Sequence, residues 1–165
     1  NMLILQKNKH TLQLDDFLFK CSIGKKGISK KKIEGDNTTQ IGTFSLQHLY
    51  YRKDRIIKPK TKLKCIPIQR HMGWCNDTNY PKVYNRLIII NDKISHEKLH
   101  RKDHKYDLLI PIKYNFHKKI VGKGSCIFLH LTKNYAPTAG CVSLNEKDFL
   151  IMLKVINKNT KIKIY

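Results

Sequence analysis

Two short segments decide how this 165-residue chain is interpreted: Phe128-Leu129-His130 and Pro137-Thr138-Ala139-Gly140-Cys141-Val142. The first has the apolar composition of a strand and carries a histidine, and the second is a turn of small residues that presents a cysteine. An imidazole can take the proton of a thiol and, once charged, lower the thiol pKa, while backbone N–H groups can stabilise an oxyanion. We therefore predict Cys141 as a nucleophile, His130 as its general base, and the backbone of Gly140 and Cys141 as oxyanion donors.

The segments around this pair predict a mainly β fold. Residues 125–131 alternate as a strand does, with His130 on one face and aliphatic side chains on the other. After Cys141, Asn145 is a suitable helix N-cap, and apolar residues then recur at helical spacing. Residues 161–165 alternate again. We expect a sandwich-like β domain with one main helix after the cysteine.

The length of 165 residues suits a single domain over residues 1–165, with 1–15 as a candidate peripheral N-terminal segment. We expect no transmembrane segment, because no apolar run has the length of a membrane span. We also expect a monomer. Residues 2–5 are too short for the apolar part of a signal peptide, so no export signal is visible.

The chain is strongly basic, with 33 Lys and Arg against 12 Asp and Glu and a formal net charge of +21. This charge indicates attraction to anionic polymers of the cell envelope, or it reflects a genome rich in Lys, Asn and Ile codons. Specific nucleic-acid recognition is not expected, because only five of these residues are Arg, the side chain that reads bases and phosphates best. Five cysteines without a C-x-x-C pair indicate neither a disulfide framework nor a zinc ribbon.

A second motif supports a different hypothesis, a zinc peptidase. His96-Glu97-Lys98-Leu99-His100 matches H-E-x-x-H, which on a helix places two imidazoles on one face to hold zinc, with Glu97 as the base. However, residues 95–107 are charged throughout, and Leu99 is their only aliphatic side chain, so such a helix would bury little. A zinc peptidase therefore remains the alternative hypothesis, and we predict that the main site uses neither metal nor cofactor.

Three further side chains are candidates for substrate binding. Trp74, the only tryptophan, is either a wall of the substrate cleft or a core residue. Arg52 and Arg86 each lie next to aromatic residues and could hold a substrate carboxylate with two hydrogen bonds, or could form structural ion pairs.

Taken together, these residues resemble the YkuD-type L,D-transpeptidase catalytic domain, in particular its short single-domain proteobacterial form. The resemblance covers residues 20–165, and the ordered set of motifs carries it: Glu34-Gly35-Asp36, Thr39 to Phe44, Tyr51-Arg52, Asp54-Arg55, Met72-Gly73-Trp74-Cys75, Asn85-Arg86, Tyr106-Asp107, Gly124-Ser125, Ile127 to His130 and Thr138 to Val142. It also places Ser95, Glu97, Leu99, Arg101 and Asp103 in a Ser-x-Glu-x-Leu-x-Arg-x-Asp stretch, which makes the H-E-x-x-H match incidental.

The resemblance implies a β-sandwich fold and a peptidoglycan stem peptide as substrate. Cys141 would attack a peptide carbonyl at an L-to-D junction and expel the terminal D-residue, and an amine of a second stem would resolve the thioester into a crosslink. Water as acceptor would instead make the enzyme an L,D-carboxypeptidase. The resemblance also implies Thr138 and Tyr106 as substrate contacts, carbapenems as covalent inhibitors, and a place in the periplasm or envelope. Because no export signal is visible, a cytoplasmic role on precursors or turnover fragments is the alternative.

The sequence departs from the family pattern at four points. Ala139 replaces a second histidine before the glycine, Ser143 replaces an Arg or Asn, and Gln40 replaces a proline. The interval between His130 and Cys141 is also shorter than usual, which implies a shortened lid. These changes concern the choice of substrate more than the nucleophile.

Overall fold

The computed structural model describes residues 1–6, 10–30 and 32–165, and strands dominate them. Residues 7–9 and 31, which belong to the predicted N-terminal segment and to the connection before Glu34, lie outside the described residues. The elements in chain order are β1 (Met2–Leu5), β2 (Thr11–Leu14), β3 (Phe17–Lys20), β4 (Ile28–Ser29), β5 (Thr39–Gln40), β6 (Gly42–Ser45), β7 (Leu49–Tyr51), β8 (Cys65–Pro67), β9 (Met72–Cys75), β10 (Leu87–Ile89), β11 (His96–Lys98), β12 (Leu108–Pro111), β13 (Phe128–Leu131), β14 (Val142–Leu144), α1 (Glu146–Val155) and β15 (Lys161–Ile164).

Two five-stranded sheets form the sandwich. Sheet I has the order β3-β2-β1-β15-β6, and sheet II has the order β14-β13-β12-β7-β8. A smaller sheet III, β10-β9-β11, and the pair β4-β5 complete the described sheets. The structure confirms the mainly β sandwich with one helix after Cys141 that the sequence predicts.

Strand β1 lies at the centre of sheet I, which differs from the expected peripheral position of residues 1–15. It pairs in parallel with β15, with Met2 opposite Lys161, and antiparallel with β2. Leu3 and Leu5 have no solvent exposure. The two ends of the chain therefore form the middle of one sheet, and the N-terminal residues contribute to the core.

The main hydrophobic core contains residues from sheet I, from one face of sheet II and from α1. Leu129 and Leu131 of β13 point into it, as the alternation of the sequence predicts. Helix α1 begins at Asn145, whose side chain accepts a hydrogen bond from the Asp148 N–H at 2.7 Å. At ten residues this helix, in the described part of the chain, falls short of a membrane span.

The opposite face of sheet II packs into a second, smaller core. Phe128 of β13, Leu109 of β12 and Trp74 of sheet III belong to it, with the Phe128 and Trp74 rings edge to face at 5.4 Å. Cys141 belongs to this cluster. Strand β13 begins at Phe128 rather than at the predicted residue 125, because Cys126 adopts a positive φ of 56° that interrupts the extended backbone.

Candidate active site

Cys141 and His130 lie on the same face of sheet II. Strands β13 and β14 are parallel neighbours, with Leu129 opposite Val142 and His130 opposite Ser143. The same register continued by one pair brings Cys141 beside Phe128, and the Phe128 N–H donates to the Cys141 sulfur at 3.3 Å. Residues two apart on a strand share a face, so thiol and imidazole both point away from the main core. Both line one cavity of about 250 Å³.

The imidazole of His130 is held by a backbone carbonyl. Its Nδ1 lies 2.8 Å from the Leu131 carbonyl oxygen, which can only accept, so Nδ1 carries the proton of this hydrogen bond. Burial lowers the pKa of His130 to about 4; Lys105 and Arg101 act in the same direction. The ring is therefore neutral at pH 7, and its Nε2 keeps a lone pair that can accept a proton.

The thiol of Cys141 is also neutral. Burial raises its pKa to about 12, and the Phe128 N–H offsets only part of that effect. The sulfur donates to the Cys126 carbonyl oxygen at 3.2 Å. Both groups are therefore uncharged, which differs from the sequence-based expectation of an imidazolium next to the sulfur, because desolvation disfavours both ions.

The turn that carries the cysteine requires glycine. Gly140 has a φ of +141°, and a Cβ at this position would lie 2.7 Å from the Thr38 carbonyl oxygen. The buried Thr39 hydroxyl donates to the Gly140 carbonyl at 2.9 Å and accepts from the Gly24 N–H at 2.9 Å. Thr38 and Thr39 thus fix the backbone immediately before Cys141.

Thr138 closes the turn from the other side. Its hydroxyl donates to the Cys141 carbonyl oxygen at 2.6 Å and accepts from the Gly140 N–H at 3.1 Å. Of the two predicted oxyanion donors, the Gly140 N–H is therefore already engaged, at a distance within the usual range for an N–H···O hydrogen bond.

Charged side chains surround the cavity; Glu34, Glu97 and Arg101 belong to the sequence motifs, whereas Lys32, Lys105 and Lys133 do not. Glu34 accepts hydrogen bonds from the Tyr84 hydroxyl at 2.7 Å and from the Ser125 hydroxyl at 2.5 Å. The remaining charged lining residues are Lys32, Glu97, Arg101, Lys105 and Lys133. Glu97 lies on β11, whose alternation places it and its two neighbours on opposite faces.

The structure brings two of the five predicted substrate-binding residues to the cavity. Thr138 lines it, and so does Tyr106, whose ring packs edge to face against His130 at 5.4 Å. Trp74 is 2% exposed and does not line the cavity; its indole N–H donates to Asn85 Oδ1 at 2.8 Å. Trp74 is a core residue, because its polar atom and its ring both find partners inside the protein.

Both predicted arginines serve the structure instead of lining the cavity. Arg52 is 3% exposed, pairs with Asp54 through two hydrogen bonds of 2.8 Å, and donates to the Arg101 carbonyl oxygen at 2.6 Å. Arg86 stacks over the Phe116 ring at 4.1 Å and donates to the Phe116 carbonyl oxygen. Their guanidinium groups are therefore engaged within the protein, which favours the structural alternative over the binding of a substrate carboxylate.

The H-E-x-x-H segment does not form the helix that a zinc peptidase of this type needs. His96 and Glu97 lie on strand β11, so their side chains point to opposite faces, and His96 Nδ1 contacts the Ile94 carbonyl oxygen at 2.7 Å. Across residues 1–6, 10–30 and 32–165, no group of three His, Cys, Asp or Glu side chains could hold a metal ion. The motif is a coincidence of sequence, and Glu97 belongs to the cysteine-containing cavity.

Comparisons with known proteins identify a family for this chain. The model of the YkuD family, described as the L,D-transpeptidase catalytic domain, matches residues 1–164. A comparison with curated protein sequences finds no match.

Among solved structures, the fold is similar to the helical cell shape determining protein Pgp2 from Campylobacter jejuni, with a TM-score of 0.55 and 16% identity. The K307A mutant of Pgp2 gives a TM-score of 0.53, also at 16% identity. Each alignment covers 99% of this chain and 46% of the Pgp2 chain, so this chain spans less than half of Pgp2.

Proposed function

Because this chain belongs to the YkuD family of L,D-transpeptidase catalytic domains, we propose that it is a cysteine acyltransferase acting on peptidoglycan stem peptides. The observation that carries the proposal is the shared face and shared cavity of Cys141 and His130 on sheet II. Such a substrate belongs to the cell envelope, where we place the activity. The likeness to Pgp2, named for its part in cell shape, supports a role in wall architecture.

The first half-reaction forms a thioester. The Cys141 sulfur attacks the carbonyl of the L-to-D peptide bond while its proton passes to Nε2 of His130. The imidazolium then donates this proton to the nitrogen of the departing D-residue as the C–N bond breaks. Because both groups start uncharged, no separated charge has to be stabilised inside the protein before the attack.

The second half-reaction restores the enzyme. An amine from a second stem attacks the thioester and passes its proton to His130, and the C–S bond breaks with return of that proton to the sulfur. A new amide bond results, which is a crosslink when the amine belongs to another stem. With water as acceptor, the product is a carboxylic acid and the enzyme acts as an L,D-carboxypeptidase.

Backbone N–H groups of Gly140 and Cys141 are the proposed donors to the oxyanion in both half-reactions. The Gly140 N–H currently donates to the Thr138 hydroxyl at 3.1 Å. A charged oxygen is a stronger acceptor than a hydroxyl, so the N–H can exchange this hydrogen bond for one to the oxyanion. Thr138 would then act as a positioning residue for the turn, through its hydrogen bond to the Cys141 carbonyl.

Lys105 is the proposed contact for a carboxylate of the donor stem. It lines the cavity, and no ion pair within the described residues engages its ammonium group, whereas Arg101 pairs with Asp103 at 2.7 Å. Burial is the main cause of the shifted pKa values of His130 and Cys141, and the charge of Lys105 contributes to lowering each pKa. Lys105 therefore acts electrostatically on both reacting groups, as expected of a cation that holds the substrate beside them.

Product analysis from a purified tetrapeptide stem tests the proposal. We expect the wild type to exchange the terminal D-residue for an added D-amino acid, with the product identified by mass spectrometry, and we expect Cys141→Ser to lose this activity. Cys21→Ser is the matched control, because Cys21 is a buried thiol of the main core. Cleavage without exchange would identify a carboxypeptidase, and undiminished exchange by Cys141→Ser would exclude the proposed nucleophile.

A further inference from the structure

A second cavity, of about 490 Å³, shares no lining residue with the first. Four lysines from three separate parts of the chain surround it: Lys62, Lys64, Lys113 and Lys158. His48 and Gln47, just before strand β7, complete its polar lining. We call these six residues the lysine cleft.

The charges of the lysine cleft are uncompensated by the described protein. No acidic residue lines the cleft, and none of the ion pairs among the described residues involves its lysines. His48, Lys64 and Lys113 line the same cavity. Burial lowers the pKa of His48, and the charges of Lys64 and Lys113 lower it further. Cations that line one cleft repel one another, and an anion between them offsets the repulsion.

A neutral donor also faces this site. Gln47 lines the cleft, and its side-chain Nε2 is buried without a hydrogen-bond partner among the described residues. A buried amide nitrogen without a partner costs free energy, and an anionic oxygen would satisfy it. Lys113 and Gln47 flank a short bridge between Leu46 and Ile112, so the backbone fixes their relative position.

We propose that the lysine cleft is a binding site for a phosphate-bearing anion of about the size of a diphosphate. Ammonium groups bind phosphate as point charges from several directions, and a concave site encloses a compact anion better than a long duplex. The Leu63 and Phe116 side chains supply an apolar wall that suits the organic part of a diphosphate ester. The site is separate from the thiol–imidazole cavity, so it adds a second ligand to the proposed function.

Titration calorimetry of the full chain with inorganic pyrophosphate tests this proposal. We expect the double variant with Lys64→Gln and Lys113→Gln to bind pyrophosphate at least about tenfold more weakly, since each change removes one charged hydrogen bond to the anion. Gln47→Leu should weaken binding several-fold at unchanged net charge. The matched control is Lys93→Gln with Lys154→Gln, two exposed lysines outside the cleft, which should change affinity by about twofold or less.

An equal loss of affinity in the control pair, or unchanged affinity in both cleft variants, overturns the proposal, because binding would then follow net charge alone. Thermal unfolding of each variant separates lost binding from lost folding. Vesicles of phosphatidylglycerol in phosphatidylcholine identify the source of the phosphate. Binding to these vesicles that pyrophosphate competes away identifies a lipid headgroup, and pyrophosphate binding without vesicle binding identifies a soluble ligand.

Discussion

The Nδ1 atom of His130 lies 2.8 Å from the carbonyl oxygen of Leu131, the next residue in the chain. This hydrogen bond fixes the tautomer of the ring and leaves Nε2 as the base. It needs no carboxylate partner, so the ring stays neutral until it receives the thiol proton. The protonation state of this one ring therefore governs the pH behaviour of the proposed reaction.

The rate of thioester formation should stay high in weakly acidic solution. The His130 pKa is lowered to about 4, so the ring remains a base well below the usual histidine range, and activity should be lost only as the pH falls through that value. Stopped-flow measurement of carbapenem acylation between pH 5 and pH 8 should show a nearly flat rate. A rate that falls steeply below pH 6.5 would mean that the ring is protonated there.

Folding stability should also depend on His130. The folded-state pKa lies below the unfolded one, so the unfolded chain binds more protons, and stability is lost as the pH falls below about 6.5. Between pH 7 and pH 5 this loss is about 2 kcal/mol for a buried ring. Urea unfolding at both pH values should show a smaller loss for His130→Gln, which does not titrate. Equal losses in the two proteins would contradict the burial of an uncharged ring.

Gly140→Ala should reduce activity by about one to two orders of magnitude, because the added Cβ would lie 2.7 Å from the Thr38 carbonyl oxygen and would displace the nucleophile. Gly122→Ala is the control. Gly122 also has a positive φ, of +88°, but nothing lies within 4 Å of its Cβ position. Both variants introduce backbone strain at a positive φ, but only Gly140→Ala should displace the turn. Assays of D-residue exchange with both variants therefore separate the two effects. Equal activity in the two would show that the contact with Thr38 is unimportant.

Lys105→Met should raise KM about tenfold for a stem with a free carboxylate, with little change in kcat, because a charged hydrogen bond to the substrate is lost. The same change should have little effect on a stem whose carboxylate is converted to an amide. Lys102→Met, an exposed lysine nearby that does not line the cavity, serves as the control. A similar KM change with both substrates would show that Lys105 does not bind the substrate carboxylate.

Local signals were sufficient for the parts of the fold that depend on near neighbours. The Asn145 cap, the helix after it and the alternation around His130 are encoded within a few residues, and the model confirms them. The pairing of β1 with β15 joins residues at opposite ends of the sequence, so no local sequence pattern predicts it. The N-terminal strand was therefore placed at the periphery instead of in the centre of sheet I.

The candidate site likewise contains some residues that the local sequence identifies and others that only the fold identifies. Cys141, Gly140 and Thr138 belong to one turn, and the sequence selects them together. For Arg52 the sequence left two roles open: Asp54, which pairs with it, lies only two positions away. Its contact with the Arg101 carbonyl oxygen, 49 positions away, is visible only in the fold. Lys105 was missed for a related reason: it is one of many lysines, and only the fold shows which of them faces the cavity.

Intact-mass spectrometry after incubation with a carbapenem tests the central claim most directly. The neutral Cys141–His130 pair should give one covalent adduct on the wild type, one on Cys126→Ala, a much slower adduct on His130→Ala, and none on Cys141→Ala. Cys126 is the informative control, because it is the other thiol that lines the cavity. An adduct that persists on Cys141→Ala, or disappears on Cys126→Ala in a folded protein, would contradict the assignment of the nucleophile.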